Sequence, residues 1–388
     1  MPTAQTSQRQ AARFVVAIFL FWAALYFYVP TLAVHARSLG ASDTMVGMVV
    51  GSYGLTQLAL RIPLGVFSDR IGRRKVFVLL GFLAVLLSSA GLAWSANPTH
   101  MLIFRGLAGV AASTWVAATV LFAGYYPPDQ AVKSTGIMSM SSSIGQMVAT
   151  LAGGFVALRY GTESPFWVAA FVAFIGFALL IPGPEKATVS RRAPSLGEIL
   201  SVLTLPSLLL VSTVAAIVQY AVFSTSHAFV PIYAAEVLGL SSSQIGALTS
   251  VVLVPSALMA GLAAGLSTRV KEMTLVTVGL ITLSAATTMV PFTTGFWALL
   301  AGRALFGLGL GLTYPVLMGL SIKSVPQAQR ASAMGAFQAI YALGMTVGPA
   351  ISGFISDQFG LNAVFWVSAF ACLLGLPLLS LRPHRTTE

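Results

Sequence analysis

Gly65-Val66-Phe67-Ser68-Asp69-Arg70-Ile71-Gly72-Arg73-Arg74-Lys75 concentrates one carboxylate and four basic residues around a glycine, beside two long uncharged runs, 44–60 and 76–104. Each run can hold one membrane-crossing helix of about 20 residues. The stretch therefore reads as a tight turn joining two crossings, with Gly72 at the corner and the cations at the membrane edge. A carboxylate here can meet a neighbouring helix amino terminus or an arginine.

The same pattern extends along the chain. Cutting it at every Asp, Glu, Lys and Arg leaves twelve uncharged runs of 17 residues or more: 14–36, 44–60, 76–104, 106–128, 134–158, 164–184, 199–235, 237–268, 273–302, 304–322, 331–356 and 358–381. Spread over 388 residues, twelve crossings leave only short loops. The composition agrees: 57% hydrophobic and 8% charged, against roughly 45–50% and 25% for a soluble domain. A soluble enzyme is excluded, and no room remains for a nucleotide-binding or catalytic domain. Gly307-Leu308-Gly309-Leu310-Gly311 lies inside a run and is no nucleotide loop, and no zinc-protease helix or nucleophile elbow appears. The single cysteine, Cys372, excludes an intramolecular disulfide and a cysteine-rich metal site. Neither metal nor cofactor is expected. Phe14 to Ala36 is too long for a signal-peptide core and reads as a retained first helix.

The net charge of +11 follows from membrane topology. Sixteen of the 21 basic residues, from Arg9 and Arg13 to Arg382 and Arg385, fall on segments that share one face, and two, Arg37 and Arg159, on the other. This asymmetry puts both termini in the cytoplasm of a multi-pass inner-membrane protein and argues against a nucleic-acid partner. Arg61, Arg105 and Arg303 are left inside the spans.

Sliding the chain against itself by 199 residues superposes its halves. Gly136, Gly145, Gly154, Gly161, Phe166 and Trp167 fall on Gly335, Gly344, Gly353, Gly360, Phe365 and Trp366. Coincident Gly and Trp indicate a duplicated six-helix unit. Pro182-Gly183-Pro184 and Ser190-Arg191-Arg192-Ala193-Pro194 mark the junction. The expected organisation is a six-helix bundle over 1–183, a cytoplasmic linker over 184–203 and a second bundle over 204–388.

The opening motif resembles the signature between the second and third helices of the major facilitator superfamily, with Phe67 in place of the usual leucine. The resemblance implies an all-α membrane fold of twelve helices in two pseudo-symmetric bundles. It also implies a cytoplasmic conformational latch on Asp69, with Gly65, Arg70, Gly72 and Arg73 as the motif positions around it. Two further patterns are partial: Ala108 replaces the usual glutamine of the fourth-helix motif, and Ala149-Thr150 replaces Gly-Pro in a fifth-helix motif associated with antiporters. The eleventh helix retains Gly348-Pro349.

All ten acids fall in loops, tails or helix ends, so none sits at mid-membrane. If protons are coupled, the carrier is Asp69, Glu236, His35 or His227. Tyr53, Gln57 and Arg61 recur at four-residue intervals on one helix face. Arg105 and Arg303 are related by the internal repeat, and an arginine can clamp an anion bidentately. The helices that line the cavity of this superfamily add Trp22, Tyr26, Gln146, Gln219, Phe223, Tyr314, Gln338 and Tyr341 as substrate-binding candidates. The expectation is a monomeric secondary transporter in the lipid bilayer that moves a small-molecule substrate by alternating access, as proton-coupled export of amphipathic compounds. Uptake or exchange of an organic anion, facilitated diffusion, a lipid flippase and a transport-dead receptor are the alternatives.

Overall fold

The structure is a computed structural model and describes residues 4–127, 130–182, 197, 204–266, 269–323, 325, 326 and 329–380. The expected linker, 184–203, lies outside the described residues save for Gly197. Every regular element among the described residues is helical. In chain order these are α1 (Ala4–Tyr26), α2 (Val29–Ser38), α3 (Asp43–Ile71), α4 (Arg74–Ala93), α5 (Pro98–Ser113), α6 (Trp115–Ala123), α7 (Ala131–Tyr160) and α8 (Ser164–Leu180). The second half contributes α9 (Pro206–Ala221), α10 (Val230–Ile232), α11 (Ser242–Ser250), α12 (Leu253–Leu266), α13 (Glu272–Thr288), α14 (Phe296–Lys323), α15 (Arg330–Phe359) and α16 (Leu361–Ser380). Eleven helical stretches of the described residues are long and apolar enough to cross a membrane, and α8, apolar over its 17 residues, makes the twelfth. This is the all-α membrane fold expected from the uncharged runs.

Four crossings are interrupted: the eighth by a turn at 251 and 252 between α11 and α12, and three others each with a local cause. The first breaks between α1 and α2, where Pro30 sits in the first turn of the restarted helix and its missing N–H leaves no intrahelical bond unmade. The fourth breaks at Thr114, whose hydroxyl donates to the Ala111 carbonyl (2.7 Å) and competes with the helical ladder. In the seventh, α9 passes into a π-helical turn, Val222–Phe229, and a second one, Tyr233–Val237, follows α10. Pro231 cannot donate to the ladder between them.

The glycines that coincide in the repeat have conformational reasons. Gly161 and Gly360 end α7 and α15 with φ of +93° and +84°, and their N–H groups donate to Ala157 and Ser356 carbonyls at 3.0 and 2.9 Å. A side chain would strain that backbone.

The chain packs as two compact units. Unit 1 comprises Met1–Gly40, Leu55–Ala193 and Ser241–Ser250; unit 2 comprises Ala41–Gly54, Pro194–Leu240 and Val251–Glu388. In unit 1, α7 lies so close to α1 that a Cβ at Gly145 or Gly153 would overlap the Phe19 or Phe27 carbonyl. Its other contact is α11, where Gly154 meets Gly246 and the Thr150 and Ser250 hydroxyls bond at 2.6 Å. In unit 2, α15 packs on α9 through Gly344 and on the start of α3 through Gly47, Gly51 and Gly353, each against a facing carbonyl. Small residues let helix backbones approach where lipid supplies no hydrophobic drive.

Candidate functional site

In unit 1, α1 carries Trp22 and Tyr26 half-buried, with ring centroids 5.9 Å apart. Trp22 also meets Trp115 edge-on at 5.3 Å, an arrangement that aromatic quadrupoles favour. Its indole Nε1 is buried with no hydrogen-bond partner among the described residues. The sequence reading missed Trp115; its signal is the lone tryptophan of its run, beside the break at Thr114. On α3, Arg61 Nη1 donates to Gln57 Oε1 at 3.0 Å, with Gln57 buried and Arg61 half-buried. Gln146 is half-buried on α7, one residue past the Gly145 contact with α1.

Arg105 is buried in the same unit and its Nη1 donates to the Tyr28 hydroxyl at 3.1 Å. The guanidinium carbon lies 5.5 Å from the Tyr28 ring centroid, within cation–π range. His35 is buried too, bonded through Nδ1 to the Thr162 hydroxyl (3.3 Å) with its ring 5.2 Å from Phe166.

Unit 2 repeats the arginine arrangement. Arg303 is buried, donates through Nη2 to Ser226 Oγ and stands 4.5 Å from the Phe306 ring centroid. Nearby in sequence, Phe223 meets His227 edge-on at 4.7 Å and stacks against Tyr53 at 6.1 Å. Tyr314 and Tyr341 meet at 5.8 Å. Gln219 and Gln338 are half-buried, and Glu236 is exposed on the second π-helical turn. The predicted substrate residues thus fall into separate aromatic and polar groups within the two units.

Of the motif residues, Gly72 makes the corner at φ +67°, with Arg70 and Arg73 exposed on either side. Gly65 faces Val116 at ordinary packing distance. Asp69 lies in the last turn of α3, and its side chain is outside the described residues. Lys75 Nζ donates to the Ile181 carbonyl just past α8 (2.8 Å), a placement that suits a cation at a helix carboxyl end.

Two acids that the sequence reading passed over come together in unit 2. Asp357, near the end of α15, accepts from the N–H groups of Asp43 and Thr44 (3.0 and 2.9 Å) and from the Thr44 hydroxyl (2.6 Å). Asp43 in turn accepts from the Ser356 hydroxyl at 2.6 Å. No local motif announces this pairing, because 314 residues separate its members.

Unit 2 also holds a cavity of about 440 Å³. Ala260, Ala263, Val316 and Leu320 wall it, and Glu272, Lys323 and Arg330 supply its charge. Lys323 is ion-paired with Glu272.

Comparison with known proteins places these features in a family. A model described as Major Facilitator Superfamily matches residues 14–241 and 212–388. The inner membrane transport protein YajR of Escherichia coli (strain K12) is 27% identical over 365 residues, 92% of this chain and 79% of YajR. The multi-drug resistance efflux pump PmrA of Streptococcus pneumoniae serotype 4 is 27% identical over 380 residues, 92% of this chain and 93% of PmrA. Among solved structures, a bacterial homolog of the human lysosomal transporter Spinster, in an inward-facing and occupied conformation, superposes with a TM-score of 0.80 at 16% identity, covering 98% of this chain and 97% of that one.

Proposed function

The chain belongs to the major facilitator superfamily, and from that premise we propose that it exports small amphipathic compounds in exchange for protons, by alternating access. At the coarser level it is a multi-pass membrane transporter and not an enzyme. The observation that carries the finer reading is Trp22: a half-buried ring against Trp115 and Tyr26 whose indole donor meets no partner among the described residues. A flat apolar surface with one free polar contact suits a compound that is mostly ring and partly polar. The similarity to a multidrug efflux pump over nearly all of both chains supports the same direction. The positive-inside asymmetry supports an inner-membrane orientation with both termini cytoplasmic.

The test is dye flux in inside-out vesicles. An amphipathic fluorescent dye should accumulate when the lumen is acid, and a protonophore should abolish the accumulation. Flux indifferent to the gradient would discard proton coupling. Saturable binding without flux would identify a receptor, and movement of labelled phospholipid a flippase.

One observation favours a second reading, transport of an organic anion. The cavity of unit 2 combines an apolar wall with Lys323 and Arg330 against a single carboxylate, Glu272. Competition of the dye by amphipathic carboxylates and not by amines would select this reading.

A further inference from the structure

The amino terminus of α3 and that of α11 occupy equivalent places in the duplicated halves, with Ser42 and Ser241 at the same position of the repeat. The first N–H groups of a helix have no intrahelical partner and must be satisfied from outside it. At α11 the Ser241 and Gln244 N–H groups are met within the turn itself. Ser241 Oγ accepts from Gln244 N–H (3.4 Å), and Gln244 Oε1 accepts from the Ser241 N–H and hydroxyl at 2.9 and 3.1 Å, which is a capping box. In α3 the residue matching Gln244 is Met45, which has no oxygen to return. Ser42 Oγ accepts from the Met45 N–H (3.2 Å). The N–H groups of Asp43 and Thr44 go to Asp357, on α15.

We propose that Asp357 is a gating residue of the transport cycle, a borrowed cap that holds the first turn of α3 to the end of α15 and must let go each time the two separate. Three independent features meet at this point. The carboxylate takes three donors from α3, Ser356 bonds back to Asp43, and a glycine seam (Gly47, Gly51 and Gly353) brings the two backbones together. Separation removes both the contact and the cap, so the closed arrangement gains from two sources at once. A helix dipole favours the carboxylate at this end. The proposal rests on the alternating-access reading for its purpose, but its geometry does not depend on any substrate.

The experiment measures how often the seam opens. With the buried Cys372 replaced by serine, Val50→Cys puts a thiol on the stripe that Gly47 and Gly54 share; Val50 is 0% exposed. Labelling by a water-soluble maleimide is followed in the purified full-length protein, without substrate. Asp357→Ala should raise the labelling rate about tenfold, the population change that 1.4 kcal/mol gives, and Asp357→Asn at least threefold. Met45→Gln, which gives α3 its own box, separates the latch from simple capping. In the Asp357→Ala background it should recover part of the melting temperature, through the Ser42 N–H, and leave labelling fast. Unchanged labelling in both Asp357 variants overturns the proposal. So does a Met45→Gln rescue that returns labelling to the parental rate, since Asp357 would then serve only to keep the helix end from fraying. Fast labelling in a protein that moves no dye would refute the export reading and leave the latch standing.

Discussion

Arg303 reaches Ser226 across 77 residues of chain, and Arg105 reaches Tyr28 across the same 77. The two bonds are 198 residues apart, so both copies of the ancestral unit keep an arginine that ties the fourth helix to the first. A cation in a membrane interior is expensive. Each is met here by a hydroxyl and by an aromatic ring 5.5 or 4.5 Å from the guanidinium carbon.

Removing the acceptor leaves that cation less well satisfied. Tyr28→Phe and Ser226→Ala should each lower stability by about 1–3 kcal/mol, read as reduced melting temperature in detergent. Arg303→Lys should not preserve stability, because an ammonium lacks the planar fork. If these arginines serve as braces, Tyr28→Phe leaves substrate preference unchanged; altered preference would return Arg105 to the substrate-contacting set.

Trp22 separates ring from donor. Trp22→Phe keeps an aromatic surface and loses the N–H, which should raise the dye KM about fivefold, the equivalent of one hydrogen bond near 1 kcal/mol. Trp22→Ala should cost roughly a further tenfold through lost aromatic contact. Equal effects of the two would point to the donor alone.

Arg61 is the intramembrane cation that is half-buried and bonded to Gln57 on its own helix. Arg61→Ala should weaken competition by anionic compounds tenfold or more, on the scale of a charge-assisted hydrogen bond of about 1.5–3 kcal/mol. Neutral compounds should change less than twofold. Parallel losses would remove Arg61 from recognition of charge.

Two glycines of α7 should respond oppositely to alanine. Gly154 leaves no room for a Cβ against Ser242 and Gly246, so Gly154→Ala should destabilise by about 1–3 kcal/mol. Gly136 faces open space, and Gly136→Ala should be neutral or stabilising by about 0.5–1 kcal/mol through helix propensity. Thermal unfolding of the pair reads both signs.

Asp69 tests the motif. Asp69→Asn should cripple flux while membrane insertion and melting temperature hold; normal flux would remove the latch role inferred from the family motif.

The helices were legible because a membrane permits so few charges: runs bounded by charged residues mark the crossings almost one for one. The repeat was legible where backbone conformation demands glycine, as at Gly161 and Gly360 with their positive φ. The interruptions were less so. Pro30 announces the restart after α1, but nothing short-range in Val222–Phe229 announces a π-helical turn. Of the candidate site, periodicity paired Gln57 with Arg61, because both lie on one helix. Trp22 with Trp115 joins separate crossings, and so does Asp357 with Asp43. Such pairs depend on packing, and a single sequence carries no local record of it.

The different ownership of the two caps also has a consequence for biosynthesis. The Ser241–Gln244 box of α11 can close as soon as Gln244 is made, whereas the Asp43 and Thr44 N–H groups of α3 wait for a residue encoded 314 positions after Asp43. At a translation rate of roughly 5–20 residues per second, that wait is about 15–60 s. Through that interval the first turn of α3 is without the acceptor that Asp357 supplies.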